Sequence, residues 1–70
     1  MEYVVRNKSG RITHYLKKTQ LITGKWAIST KSFTDRHYIT NINLPIFETA
    51  IEAETWLVRH YDREYTMNGD

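Results

Sequence analysis

Three histidines, His14, His37 and His60, and the triplet Asp35-Arg36-His37 are the residues whose types could do metal or acid–base chemistry. Metal binding needs several donors brought to one point, and sequence signatures for it space the ligands a few residues apart. These histidines are widely spread, and the chain has no cysteine. Neither a metal site nor a cofactor is expected. Catalysis by Asp35, Arg36 and His37 would need groups converging across a pocket, which adjacency in a loop does not provide. There is no glycine-rich phosphate loop and no nucleophile elbow. A chain of 70 residues also has little room for a deep substrate cleft. The expectation is a binding protein and not an enzyme.

The better candidate chemistry is electrostatic. Arg11, Lys17, Lys18, Lys25, Lys31 and Arg36 could neutralise phosphates, and Tyr15 and Tyr38 could stack on bases or sit in a groove. Residues 1–47 carry eight Lys or Arg against two Asp or Glu; residues 48–70 carry two against six. A basic first part attracts phosphate or an acidic partner. The plainer alternative is that these are solvated strand faces, with tyrosines packing across strands and opposite charges helping the acidic part dock.

Length and composition narrow the setting. The chain is one domain over residues 1–66, with 67–70 expected as a frayed tail. A core this small contributes only about 3–5 kcal/mol of net stability, and no disulfide can add to it. Packing of two Trp, five Tyr and two Phe, or association with another chain, must supply the rest. No apolar run is long enough to cross a bilayer, so no membrane partner is expected. The first residues lack the pattern of a signal peptide, and the expected location is the cytoplasm.

The elements that must position these residues are mostly strands. Tyr3-Val4-Val5-Arg6 is β-branched and aromatic. Gly10 closes a turn, and residues 11–17 alternate, with Ile12, His14 and Leu16 on one face and Arg11, Thr13, Tyr15 and Lys17 on the other. His14 is therefore expected half-buried. Residues 18–24 read as a connection pinned by Leu21 and Ile22, and residues 25–30 as a strand with Trp26 and Ile28 on one face. Residues 32–36 read as a loop and 38–42 as a further strand. Pro45 ends ladder pairing.

A helix follows. Thr49 is a good N-cap, and Glu52 lies at capping-box spacing. Ala50, Ala53, Leu57 and Tyr61 share one face, and the helix is expected to run to about Tyr65. Phe47 would pack beneath Ile51 or Ala53. The apolar surface of this helix is wider than one sheet contact needs. Ile51, Val58 and Tyr65 lie on one flank, and Trp56 and His60 on the other. Such a flank is a candidate surface for a host protein or a second copy. The alternative is that the N-terminal hairpin covers it. The fold class is α+β: a three- or four-stranded antiparallel sheet with one C-terminal helix packed on one face.

Gly24-Lys25-Trp26 at a strand start, with Phe47-x-Thr49-x-x-Glu52-Ala53-Glu54-x-Trp56 opening a helix, resembles the AP2-like, arm-type DNA-binding domain of phage tyrosine integrases. The resemblance covers about residues 24–61. It implies a sheet lying in the DNA major groove with the helix bracing it from behind. The implied DNA face would use Lys25, Ala27, Ser29 and Lys31 on one strand and Tyr38 and Thr40 on the next. Residues 32–36 replace the tight glycine turn of the family, and the N-terminal hairpin is additional. Small phage or prophage accessory proteins have a similar sheet-plus-helix layout. Two functions stay open: nucleic-acid binding through the basic sheet face, or a phage-type inhibitor or adaptor acting on a host protein through the helix flank, with homodimerisation on that flank included.

Overall fold

A computed structural model describes residues 2–63. The strands are β1 (Tyr3–Arg6), β2 (Ile12–Gln20), β3 (Trp26–Ser32), β4 (Ile39–Thr40) and β5 (Asp62–Arg63), and the single helix is α1 (Ala50–His60). All neighbours pair antiparallel, in the order β4-β3-β2-β1-β5. Three longer strands form the centre, and both edge strands have two residues. The expected α+β layering, an antiparallel sheet with one helix on one face, is the architecture of the chain.

Both hairpins close by the same device. Gly10 N–H donates to Asn7 O at 3.0 Å and Asn7 N–H to Arg11 O at 2.9 Å. In the second hairpin Gly24 N–H donates to Leu21 O at 2.9 Å and Leu21 N–H to Lys25 O at 2.7 Å. The two glycines sit at φ of 88° and 91°, the left-handed region that this three-residue loop requires of its last residue. The second turn is tight, so β2 continues through Lys18, Thr19 and Gln20 to pair with Ile28, Ala27 and Trp26. The segment expected as a connection is therefore mostly strand, and Ile22, expected to pin it, is fully exposed at the turn.

One side of the sheet holds the core. Tyr3, Leu16 and Ile28 from three strands meet Ala53 and Leu57 of α1, and all five are buried. Ala53 is small enough to let the helix approach closely. Val5, Trp26, Leu44, Phe47, Trp56 and Tyr61 pack around this cluster. His14 shares the face of Leu16 but is exposed, because the helix-packed core reaches along β2 only to Leu16. The expectation of a half-buried His14 is corrected on that ground.

The helix begins where its chemistry says. Thr49 is extended, and its hydroxyl oxygen accepts from Glu52 N–H at 3.2 Å while donating to the Glu52 carboxylate at 3.0 Å. The pair thus closes side chain to side chain. Just upstream, Trp26 and Phe47 exchange both backbone hydrogen bonds, at 2.8 and 2.7 Å, which ties the helix entry to the edge of β3. Phe47 packs against the core cluster that includes Ala53, lines one groove with Ile51, and has its ring centroid 6.1 Å from that of Trp56.

The helix ends earlier than its apolar pattern implied. Tyr61 is extended, and its N–H donates to Leu57 O at 2.9 Å. The chain then pairs along β1, Val4 opposite Asp62 and Tyr3 opposite Arg63. The edge of β1 would otherwise present unpaired backbone groups, and satisfying them competes with continuing the helix. The strand expected at residues 38–42 likewise shortens to Ile39–Thr40, because Asn41 begins a turn in which Leu44 N–H donates to its carbonyl at 3.1 Å. Tyr65 and the tail at 67–70 lie outside the described residues.

Candidate nucleic-acid interface

The side of the sheet away from α1 gathers a basic and aromatic cluster. Alternation puts Tyr15 and Lys17 of β2 on that side, with Lys31 of β3 directly opposite Tyr15 and Ser29 opposite Lys17. The segment after β3 returns over this face. Tyr38 lies there with the Lys17 ammonium 4.5 Å and the Lys31 ammonium 5.8 Å from its ring centroid. Lys31 also lies 4.6 Å from the Tyr15 ring centroid. These are cation–π distances, so the two ammonium groups lie over the tyrosine rings. The Tyr38 hydroxyl donates to the Glu2 carboxylate, which places one acid at the rim.

The loop that delivers Tyr38 is itself tied down. Asp35 N–H donates to Ser32 O at 3.1 Å, and Ser32 N–H donates back to the Asp35 carboxylate at 3.3 Å. The Lys31 ammonium donates to the Asp35 carbonyl at 3.0 Å. Hydrogen bonds from Ser32, with the nearby Lys31 charge, hold the Asp35 carboxyl below the usual carboxylate range. The acid of the Asp35-Arg36-His37 triplet therefore serves the turn. Arg36 and His37 are exposed on the same loop.

Not every expected phosphate contact joins this cluster. Lys18 is on the helix side, where its ammonium bonds Glu54 at 2.9 Å with both side chains 28% exposed. Its assignment to the basic sheet face is corrected: Lys17 and Lys18 are successive strand residues and must point to opposite sides. Lys25 precedes β3 and pairs with Glu48 at 3.2 Å. Arg11 is at the far end of the first hairpin, lining an apolar groove of about 680 Å³ with Arg6, Ile12 and Phe33. The structure thus brings together Lys17, Lys31, Tyr15 and Tyr38, and leaves Arg11, Lys18 and Lys25 elsewhere. Of the strand residues carried by the integrase resemblance, Ala27, Ser29, Lys31 and Thr40 do share this face, although Ala27 and Ser29 are buried in it. The Ser29 hydroxyl donates to Thr19 at 2.7 Å.

Beneath the other side, Tyr3 is fully buried and its hydroxyl donates to Glu54. Burial pushes the Glu54 carboxyl up, but the hydrogen bonds from Tyr3 and Lys18 outweigh it and leave it below the usual glutamate range. Glu54 was not legible as an anchor, since both partners are distant in sequence.

The second candidate surface is the outer side of α1. Ile51 is 78% and Val58 46% exposed, so the first hairpin does not cover them. Trp56 is half-buried, with the His60, Tyr61 and Phe47 rings at 4.6, 5.8 and 6.1 Å. It belongs mainly to the edge of the core and not to an open flank. A shallow groove of about 330 Å³ between Phe47, Ile51, Thr55, Trp56 and Arg59 runs beside it.

Among the described residues, no three His, Cys, Asp or Glu side chains gather as a metal set, and no helix is long and apolar enough to cross a membrane. Comparison of the chain with protein-family models, with curated proteins and with solved structures finds no match.

Proposed function

We propose that this chain is a non-enzymatic nucleic-acid-binding protein acting through the open face of its sheet, an accessory protein of the phage type. The observation that carries this reading is the cluster of Lys17 and Lys31 interleaved with Tyr15 and Tyr38 on the side away from the helix. The two ammonium groups would supply phosphate contacts. The resemblance of residues 24–61 to the arm-type integrase domain points the same way. The acidic helix lies behind the sheet, and the ion pairs of Lys18 with Glu54 and Lys25 with Glu48 keep part of that acid away from the open face.

The test is binding of labelled single- and double-stranded DNA across a salt series. Each lysine that neutralises a phosphate contributes about 0.9 to the salt slope on duplex DNA. Lys17→Glu with Lys31→Glu should weaken binding and lower that slope by about 2. Undiminished binding by this folded double variant would retire the proposed face.

A second reading rests on the exposure of Ile51 and Val58. Apolar side chains on the outside of an otherwise charged helix suit a protein partner, a host protein or a second copy. Loss of partner binding on Val58→Asp, with little salt dependence, would favour it.

A further inference from the structure

The outer side of α1 is complementary to itself. Ile51, Thr55 and Val58 follow one another at four- and three-residue spacing, so they form one stripe along the helix. Thr55 is near its midpoint. Beside the stripe lie Glu52 in the first turn and Arg59 in the last, seven residues apart and so on one flank. Between them is the apolar groove of Phe47, Ile51, Thr55 and Trp56. The same surface therefore offers apolar knobs, a groove to receive them, and opposite charges at its two ends.

We infer that two copies of this chain pair through α1, antiparallel, about a two-fold axis near Thr55. In that arrangement Ile51 of each copy faces Val58 of the other, and Glu52 faces Arg59. A parallel arrangement would set Glu52 against Glu52 and align the two helix dipoles, which is unfavourable. A two-fold contact needs one self-complementary patch and no second site, and this patch meets that need. An 11-residue helix offers little area, below the roughly 1,200 Å² of a stable interface, so the pair is a concentration-dependent one.

The pairing has a functional consequence. Each open face is on the side of its sheet away from α1, so joining two copies through α1 turns the two faces outward in opposite directions. With layer spacings of about 10 Å, the sheets stand roughly 30 Å apart. Such a dimer bridges two nucleic-acid segments and cannot place both faces on one short duplex. The bridging rests on the nucleic-acid reading of the open face; the pairing does not.

The chain has no cysteine, so a single introduced thiol reports its own neighbours. At the axis of two helices packed 8–10 Å apart, facing Cα atoms come within about 3.4–5.4 Å, overlapping disulfide range. On the full chain, Thr55→Cys should form a covalent dimer under mild oxidation, whereas Thr40→Cys, exposed on the opposite edge strand, should not. Sedimentation of the unaltered chain from micromolar to millimolar concentration should show its mass rising toward twice 8.4 kDa. Val58→Asp should stay monomeric with unchanged circular dichroism. A monomer at millimolar concentration would overturn the pairing. So would a dimer that survives Val58→Asp and shows no preference for the Thr55 thiol. Bridging is read by whether an immobilised duplex, loaded with protein, captures a second, fluorescent duplex. Capture lost in Val58→Asp supports it, and a dimer that binds duplex without capture refutes it. A dimer that binds no duplex would sink the proposed function and the bridging but leave the pairing standing.

Discussion

Lys17 and Lys18 are adjacent in β2 and face opposite sides of one sheet, and they live in different electrostatic worlds. Lys18 is drawn beneath the helix edge to Glu54, which also accepts from the buried Tyr3. Lys17 rests on the ring of Tyr38. The helix side spends its charges on holding the fold. The open side holds its lysine ammonium groups over aromatic rings. Net charge therefore says little about where a basic protein presents a basic surface; strand parity and the position of the helix decide it.

The largest effect should come from the middle of the helix side. Leu57 is fully buried against Tyr3, Leu16 and Ile28. Leu57→Ala removes buried methyl groups and leaves a cavity, with an expected loss of about 2–5 kcal/mol. For a chain whose total margin is of that size, urea unfolding should show a variant largely unfolded without denaturant. A mild loss would mean that the helix is not the keystone of this side.

The intermediate effect lies on the Tyr3–Glu54–Lys18 chain and depends on pH. The Glu54 carboxyl is held below its ordinary range in the fold. Its stabilisation is therefore complete above the ordinary glutamate value and is lost as pH falls through the lowered one. Glu54→Gln should be less stable than the unaltered chain at neutral pH, by about 1 kcal/mol for a partly exposed charged network. The gap should narrow as pH falls through that window. A gap that is constant with pH would show that Tyr3 and Lys18 do not stabilise the charged form.

What was legible in the residues follows from distance along the chain. Thr49 and Glu52 announce the helix start because capping is local, and Gly10 and Gly24 mark turns because positive φ is a property of one residue. The layering followed from strand alternation and one amphipathic helix. The end of the helix was not legible, because the pull on Asp62 and Arg63 comes from β1, nearly sixty residues away. The length of β2 was hidden because Lys18, Thr19 and Gln20 carry no apolar signal, and only pairing with β3 makes them a strand. The site was half legible. Alternation already placed Tyr15 and Lys17 together, but not Lys31 opposite Tyr15, nor Tyr38 folded over both lysines. Those need the register of β2 on β3 and the path of the loop after it.

The smallest stability effect should be the open-side counterpart of the Lys18 pair. Lys17→Met keeps the aliphatic stem and removes the ammonium, so it gives up a cation–π contact that is worth about 0.5–1 kcal/mol at an exposed site. Methionine recovers part of this through its sulfur on the Tyr38 ring, and the net change should fall within about 0.5 kcal/mol. Lys18→Met should cost more, about 1 kcal/mol, because it leaves the Glu54 carboxylate partly buried without its cation. Nucleic-acid affinity should rank the two variants the other way: Lys17→Met should lower the salt slope by about 1, and Lys18→Met should leave it unchanged. Measuring unfolding midpoints and salt slopes on the same two proteins separates the sides cleanly. Equal losses in both quantities would mean that the sheet does not partition its charges by face, and that the open-side cluster is ordinary solvated surface.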